Sequence, residues 1–190
     1  MTIDFDAARQ IMVDSQVRTN DVPDLTIQRA MRRVPRERFA PADKAWLAYA
    51  DAEVEYAPGR WLLRPRDVAK ALHALKPRAG ETALAIAAPY AAAVLEQMGL
   101  TVTRLDQGDL KAPPPGGFDV LICEGAVSAP PPVWLSALGP DGRAAVVVRN
   151  GPVGKLRLYL KSEHDLGWRE VFDATPPILA GFEAEPKFAF

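Results

Sequence analysis

The chain has 190 residues, 48% of them hydrophobic and 25% charged, which suffices for one well-cored domain and argues against two independent cores. Its 23 Lys and Arg residues nearly balance 24 Asp and Glu residues, so charge gives no general attraction to nucleic acid or to anionic membranes. The chain has one cysteine, Cys123, so we expect no disulfide within it. It contains no apolar run of roughly 20 residues, and its N-terminus is unlike a signal peptide. These features predict a cytoplasmic protein.

Helical spacing and capping residues predict helices in the first part of the chain. We expect one over 5–18, a second from Asp21 or Asp24 to Val34, a short one over 41–49 and another over 66–75. Residues 53–60, which contain Pro58 and Gly59, are predicted to form a loop.

After Gly80 the pattern changes to strands alternating with helices, which is typical of a parallel sheet flanked by helices. The alternating segments are 82–88, 90–97, 101–106, 118–125, 132–138 and 143–150. The turn at 150–154 joins the last strand to 155–161, so an antiparallel hairpin is expected to close the sheet, and the tail 168–190 adds one more strand. We predict one structural domain, with a helical segment over 1–78 packed on an α/β core over 79–190.

The connection between Asp106 and Phe118 is abnormally short for a parallel sheet. Its eleven residues, 107–117, are too few and too rich in proline for a crossover helix and another strand. We therefore expect one crossover unit to be deleted and a proline-rich bridge to pass over the sheet, since extended polyproline covers about 3.1 Å per residue.

The first strand and helix of this region resemble the start of a nucleotide-binding unit without its glycines. Ala87, Ala88 and Pro89 stand where such folds place glycines so that the backbone can approach a ligand. Asp106 ends the next strand, where a carboxylate could hold ribose hydroxyls or simply bond to backbone N–H groups. Glu124 ends a third strand and is either a ligand-binding group or a solvated carboxylate.

Four segments of the chain resemble the protein-L-isoaspartate O-methyltransferase family, especially its shorter bacterial members. They are residues 12–18 (MVDSQVR), 34–41 (VPRERFAP), 48–51 (AYAD) and 138–143 (LGPDGR). The resemblance implies a seven-stranded, Rossmann-like methyltransferase fold, S-adenosylmethionine as methyl donor, and methylation of an isoaspartyl carboxyl group.

Two segments of the chain depart from the sequence pattern of that family. The strand that should end in an acidic residue and a G-x-G-x-G turn ends instead at 85–90 (AIAAPY), where added Cβ atoms crowd the donor and Pro89 lacks an N–H. The family's Thr-Ile-Ser-Gln-Pro type of substrate loop matches 61–65 (WLLRP), so that its active-site hydroxyl falls on Leu63. Weak or absent donor binding is expected, and no catalytic residue is assigned.

Several other side chains are candidates for a functional role. Arg60, Trp61, Leu63 and Arg64 could form a substrate or partner surface, although 61–63 could instead fill the vacated pocket. The arginines at 29, 32, 33, 36 and 38 are interpreted as a solvated helix face rather than a phosphate site. Cys123 is expected to be a buried apolar residue, and His73 and His164 show no metal-ligand spacing.

These residues predict a degenerate methyltransferase that binds no cofactor and no metal and acts as a binding or regulatory module for a protein, a small ligand or a second copy of itself. Neither a membrane nor a nucleic acid is expected as partner. The alternative is an active S-adenosylmethionine-dependent carboxyl methyltransferase with a rearranged donor loop, because methyl transfer depends mainly on alignment in a dry site.

Overall fold

A computed structural model describes residues 3–163 and 165–184. Its helices are α1 (Phe5–Met12), α2 (Leu25–Arg33), α3 (Pro65–Leu75), α4 (Pro89–Gln97) and α5 (Pro132–Ser136). Its strands are β1 (Val54–Ala57), β2 (Arg60–Leu62), β3 (Thr82–Ile86), β4 (Thr101–Leu105), β5 (Phe118–Val127), β6 (Leu138–Val148), β7 (Lys155–Lys161) and β8 (Leu166–Asp173). One π-helical turn over 13–17 continues α1, and 3-10 turns cover 36–39 and 42–47.

The central sheet has six strands in the order β4-β3-β5-β6-β7-β8. The pairs β3–β4, β3–β5 and β5–β6 are parallel, whereas β6–β7 and β7–β8 are antiparallel. This arrangement confirms the predicted α/β fold with a mostly parallel sheet and an antiparallel C-terminal part. The predicted antiparallel hairpin of β6 and β7 is present, and β8, the additional strand expected from the tail, pairs outside β7 and forms the edge of the sheet.

The two faces of the sheet follow from the two-residue period of a strand. On β3, Ala83 and Ala85 contact the core beneath the N-terminal helices, while Leu84 and Ile86 contact a second core on the opposite face. Since α1 to α4 all contribute buried side chains to the first core, the N-terminal helices and the sheet share one apolar interior.

The N-terminal helices begin and end close to the predicted positions. The Asp24 carboxylate accepts hydrogen bonds from the N–H groups of Thr26 and Ile27, so Asp24 rather than Asp21 caps α2. The predicted loop at 53–60 is wrong: β1 and β2 form an antiparallel hairpin with Pro58 and Gly59 in its turn. Gly59 has a φ of +66°, a left-handed conformation that this tight turn requires and that residues other than glycine adopt only with strain.

The proline-rich bridge over 107–117 contains neither helix nor strand and joins β4 to β5 across β3. Leu110 of the bridge is buried in the second core, and its carbonyl accepts a 2.6 Å hydrogen bond from the indole N–H of Trp134. The ring of Trp134 lies 5.2 Å from that of Phe182. One irregular segment thus covers the sheet where a crossover helix is absent, which explains why the sheet has six strands rather than seven.

No helix among the described residues is long and apolar enough to cross a membrane.

Candidate functional site

The carboxyl ends of β3, β4 and β5 meet at one edge of the sheet, and the donor loop, residues 87–89, lies there. Ala87 has a φ of +46°, in the left-handed region that favours glycine, and both Ala87 and Ala88 are fully buried. Pro89 is the first residue of α4. The chain therefore keeps the sharp strand-to-helix turn of a nucleotide fold but builds it from alanines that face no solvent.

The backbone N–H groups of this turn are bonded inside the protein. Ala87 donates to the carbonyl of Leu105 at 3.0 Å, and Ala88 donates to Oδ1 of Asp106 at 3.1 Å. Pro89 has no N–H, and Ala91 donates to Oε1 of Glu124 at 2.8 Å. A ligand anion at this turn would have to replace these internal acceptors.

Glu124 is completely buried and lies inside β5, directly after Cys123, the last residue of this strand that pairs with β3. The strand was predicted to end here, but it continues to Val127. Its Oε2 accepts a hydrogen bond from the N–H of Leu63 at 2.9 Å, while Oε1 receives that of Ala91. Burial raises the pKa of Glu124 to about 7, against the opposing effects of the Arg36 cation and the two N–H donors. The alternative of a solvated carboxylate is wrong for Glu124.

Among the groups that lower the pKa of Glu124, Arg36 has the largest effect. Its side chain is completely buried. Its Nε donates to the carbonyl of Ala48 at 2.7 Å, and its Nη2 donates to the carbonyl of Leu63. The guanidinium also lies 4.6 Å from the ring centre of Tyr90. The interpretation of Arg36 as part of a solvated helix face is therefore wrong; it lies in a 3-10 turn, inside the protein.

Asp106 is half-buried and its carboxylate bonds to a backbone N–H, that of Ala88. Burial raises its pKa, while Arg104 and the Ala88 hydrogen bond act in the opposite direction. Side-chain to backbone bonding, one of the two alternatives for Asp106, is thus present, although its donor lies on the neighbouring loop rather than on the exit of β4.

The four residues of the predicted partner surface, 60, 61, 63 and 64, do not form one exposed patch. Leu63 is fully buried, and Arg64 forms an ion pair with Glu53 at 2.9 Å. Arg60 is half-buried, and its Nη1 is out of solvent with no hydrogen-bond partner among the described residues. Trp61 is half-buried and pairs with Glu55 in the hairpin. Leu62 and Leu63 are buried, as pocket filling would require, whereas Trp61 keeps part of its surface exposed.

The remaining candidates lie apart from this site or within its walls. Cys123 is buried as expected, and burial raises the pKa of its thiol. His73 is half-buried on α3, and the prediction for His164 lies outside the described residues. Over residues 3–163 and 165–184, no group of three His, Cys, Asp or Glu side chains could hold a metal ion. Cavities of 630, 470, 460 and 320 Å³ are lined by residues other than the predicted site residues.

This topology and this position of the donor loop are those of a Rossmann-like methyltransferase fold. A structure assigned as a protein-L-isoaspartate O-methyltransferase of Plasmodium falciparum, in complex with S-adenosyl-L-homocysteine, matches with a TM-score of 0.71 and 14% identity, over 90% of this chain and 97% of that one. A second structure named protein-L-isoaspartate O-methyltransferase matches with a TM-score of 0.71 and 17% identity, over 92% of this chain and 67% of that one.

Sequence comparison gives the family. The protein-L-isoaspartate O-methyltransferase of Methylorubrum populi is 34% identical over 176 residues, which are 78% of this chain and 82% of the relative. That of Methylorubrum extorquens is 32% identical over 174 residues, which are 77% of this chain and 75% of the relative. No family model matches the chain. The chain belongs to the protein-L-isoaspartate O-methyltransferase family.

Proposed function

We propose that this member of the family does not bind S-adenosylmethionine and acts as a binding or regulatory module. The observation that carries the proposal is the donor loop: Ala87 and Ala88 are fully buried, and the N–H groups of Ala87, Ala88 and Ala91 are bonded inside the protein. A donor would have to enter without glycines, past two Cβ atoms, and break those bonds.

The substrate side of the site supports the same proposal. Leu63 stands where the family's loop carries its hydroxyl, and a leucine side chain offers no hydrogen bond to an isoaspartyl carboxylate. The Leu63 backbone is also committed, since its N–H bonds to Glu124 and its carbonyl accepts from Arg36.

The module's partner surface is proposed on the outer side of the β1–β2 hairpin. Trp61 of β2 is half-buried, and a 320 Å³ cavity that includes Lys44, Tyr56 and Pro58 opens beside β1. A protein partner or a second copy bound there should be lost with Trp61→Ala in sedimentation or pull-down, whereas Trp168→Ala, at an exposed tryptophan of β8, should keep it. Retention of the partner by the Trp61 variant would exclude this surface.

The second candidate is an active S-adenosylmethionine-dependent carboxyl methyltransferase with a rearranged donor loop. The comparisons favour this candidate over the first, because the curated relatives are named as protein-L-isoaspartate O-methyltransferases and one solved relative is in complex with S-adenosyl-L-homocysteine. Asp106 directly follows β4, and Glu124 directly follows the last residue of β5 that pairs with β3, at the side of the sheet where ligands of open α/β sheets bind.

Calorimetric titration of the folded protein with S-adenosylmethionine and with S-adenosylhomocysteine separates the two candidates. The first candidate predicts no heat of binding up to millimolar ligand, with the Methylorubrum populi relative as the positive control. Micromolar binding of either compound would overturn it, and methylation of an isoaspartyl peptide would then establish the second candidate.

A further inference from the structure

A cavity of 460 Å³ lies between α3 and the edge strand β8, and its lining shares no residue with the donor loop. Its charged lining residues are Lys70, Lys76, Arg169 and Asp21, beside His73 and Val171. Lys70 and His73 are three residues apart on α3 and therefore share one face of the helix. The cavity thus has three cationic side chains and one carboxylate.

Arg169 is separated from the acidic residue that follows it on β8. Side chains alternate along a strand, so Trp168 and Glu170 lie on the opposite face from Arg169. On that opposite face Arg157 lies 4.0 Å from the ring centre of Trp168 and pairs with Glu170 at 3.9 Å. Arg169 is instead paired in register with Leu158, which belongs to the core beneath α3. Arg169 therefore points to the side of the sheet that carries α3.

The strand and the helix are in contact beside the cavity. The ammonium group of Lys70 lies 4.8 Å from the ring centre of Phe172. The register of β7 and β8 shifts at this point, because Val171 is an extra residue between two paired positions. Such bulges redirect side chains and are frequent next to functional sites. The bulge thus lies in the wall of the cavity, next to the residues that carry its charge.

The three cations have no counter-charge in the fold. None of the salt bridges within the described part of the chain includes Lys70, Lys76 or Arg169. The whole chain has a formal charge of −1, so this positive charge is a local excess. Attraction to the C-terminal end of a helix accounts for Lys76 but not for Arg169, which lies on a strand. An anion in the cavity would offset the mutual repulsion of the cations.

Lys76 ends α3 in a conformation that favours glycine. Its φ is +49°, in the left-handed region. Its N–H donates to the carbonyl of Leu72, and its own carbonyl accepts from Arg143, but glycine would make both backbone bonds equally well. The fold therefore gains nothing from the lysine side chain at this position, and strained residues of this kind are typical of functional sites.

We propose that this cavity binds a phosphate-bearing small molecule, with a phosphoryl group held between Lys70, Lys76 and Arg169. A guanidinium donates two parallel hydrogen bonds to phosphate oxygens, and a lysine ammonium adds a point charge. A volume of 460 Å³ falls within the range of about 300–1,000 Å³ that small-molecule sites occupy. The inference goes beyond the proposed function, because it needs neither the donor loop nor the hairpin surface.

A second cavity gives room for the rest of such a molecule. It has a volume of 470 Å³ and shares Lys76 and Arg169 with the first cavity. It adds Asp141, which can accept hydrogen bonds from hydroxyl or amino groups, and Leu160, an apolar side chain that is half exposed. The two cavities together suit a ligand with one phosphorylated end and one polar or apolar end.

The test is an NMR titration of the full ¹⁵N-labelled chain with sodium pyrophosphate, in metal-free buffer at constant ionic strength. Pyrophosphate supplies phosphoryl groups without an organic remainder. We expect saturable shifts of the amide signals over 73–76 and 169–172, with half-saturation in the submillimolar range. Lys70→Gln and Arg169→Gln should each weaken binding at least fivefold, because each removes one charge from the cavity.

The matched control is Arg38→Gln, which makes the same charge change at an exposed arginine outside the cavity and should keep the wild-type affinity. Absence of saturation at tens of millimolar pyrophosphate would overturn the proposal. Equal weakening in Arg38→Gln, or shifts centred on other segments, would overturn it as well, since either result would reveal attraction to charge in general.

Lys76→Gly separates binding from folding. The variant relieves the left-handed strain and removes one cation, so its urea midpoint should rise while its affinity for pyrophosphate falls at least threefold. A more stable variant with unchanged affinity would exclude Lys76 from the site.

The phosphate site and the proposed function fail in different experiments. Micromolar binding of S-adenosylhomocysteine refutes the donor-free function and leaves the pyrophosphate titration as it stands. A titration without saturation refutes the phosphate site, whatever the calorimetry gives.

Discussion

Both ends of the central sheet hold buried or half-buried charges, but the two ends differ in how completely these charges are paired by hydrogen bonds. At the amino end of the strands, Arg143 binds both oxygens of Glu81 at 3.1 and 2.8 Å and also the backbone carbonyls of Leu75 and Lys76. Burial alone would raise the pKa of Glu81, but the hydrogen bonds from Arg143 and from the Arg78 N–H bring it below its ordinary value.

At the carboxyl end, several polar atoms have no such partners. Among the described residues, Nη1 of Arg36, Nη1 of Arg60 and the hydroxyl groups of Tyr56 and Tyr90 are buried without a hydrogen bond. Ala87 adds a left-handed backbone conformation. Unsatisfied groups and strained backbone concentrate at functional sites, where a fold retains them at a cost in stability. Left-handed backbone also occurs at the amino end, in Lys76 and Asp141, so the two ends differ in their unbonded polar atoms rather than in backbone strain.

The largest expected effect comes from removing the central cation at each end. Arg36→Met should lower the free energy of unfolding by about 3–5 kcal/mol, because it leaves Glu124 buried without its counter-charge. Arg143→Met should cost only about 1–3 kcal/mol, since Glu81 is partly exposed and can be hydrated. Urea unfolding measures both, with the exposed Arg38→Met as control. Equal losses from the two variants would erase the distinction between the ends.

The next effect concerns pH. Because the pKa of Glu124 is raised to about 7 in the folded protein, the native state holds a proton that the unfolded state releases above its ordinary value near 4.3. The stability that this proton contributes is present at low pH and is lost as pH rises towards 7. Relative to Glu124→Gln, wild-type stability should fall across this window with a slope approaching about 1.4 kcal/mol per pH unit, as measured by urea unfolding from pH 4.5 to 8.

Burial favours the neutral carboxyl in the whole folded state, whereas the two N–H groups of Leu63 and Ala91 favour the anion locally. A difference between wild type and Glu124→Gln that stays constant over the window would contradict the raised pKa. Asp119→Asn is the control, because hydrogen bonds from the Thr82 backbone lower the pKa of Asp119 rather than raise it.

The smallest effect concerns the donor loop itself. Ala87→Gly removes a left-handed strain of about 1–2 kcal/mol, which offsets the losses from backbone entropy and from one buried methyl group. Ala88→Gly brings the same losses without that relief, since its φ is −131°. Ala87→Gly should therefore be the more stable variant by about 1–2 kcal/mol in urea unfolding. Equal stability of the two variants would show that Ala87 carries no strain.

The fold was predictable from the sequence where local pattern decides the structure. The alternation of apolar runs and helices after Gly80 identified β3, α4, β4 and β5, because each is a short element with one or two buried faces. The β1–β2 hairpin was missed, since Pro58 and Gly59 mark a turn equally well inside a loop or between two short strands.

The chemistry of the site was less predictable, because it depends on distant parts of the chain. Glu124 receives its two N–H donors from positions 61 and 33 residues away, so neither its burial nor its raised pKa is visible locally. Arg36 follows other arginines and has the local pattern of a solvated face. The only sequence signal that distinguishes it is its place in the 34–41 segment, between Pro35 and Glu37, that resembles the family.

The short bridge over 107–117 has a further consequence for association between copies of the chain. Without another parallel strand beside it, β4 is an edge strand, and an exposed edge can pair with the edge of another molecule. Arg104 on this strand forms a salt bridge with Glu96 at 2.8 Å and donates to the carbonyl of Pro89 at 3.1 Å. A charged side chain on an edge strand disfavours pairing with another edge, so Arg104 opposes association of copies of the chain through β4.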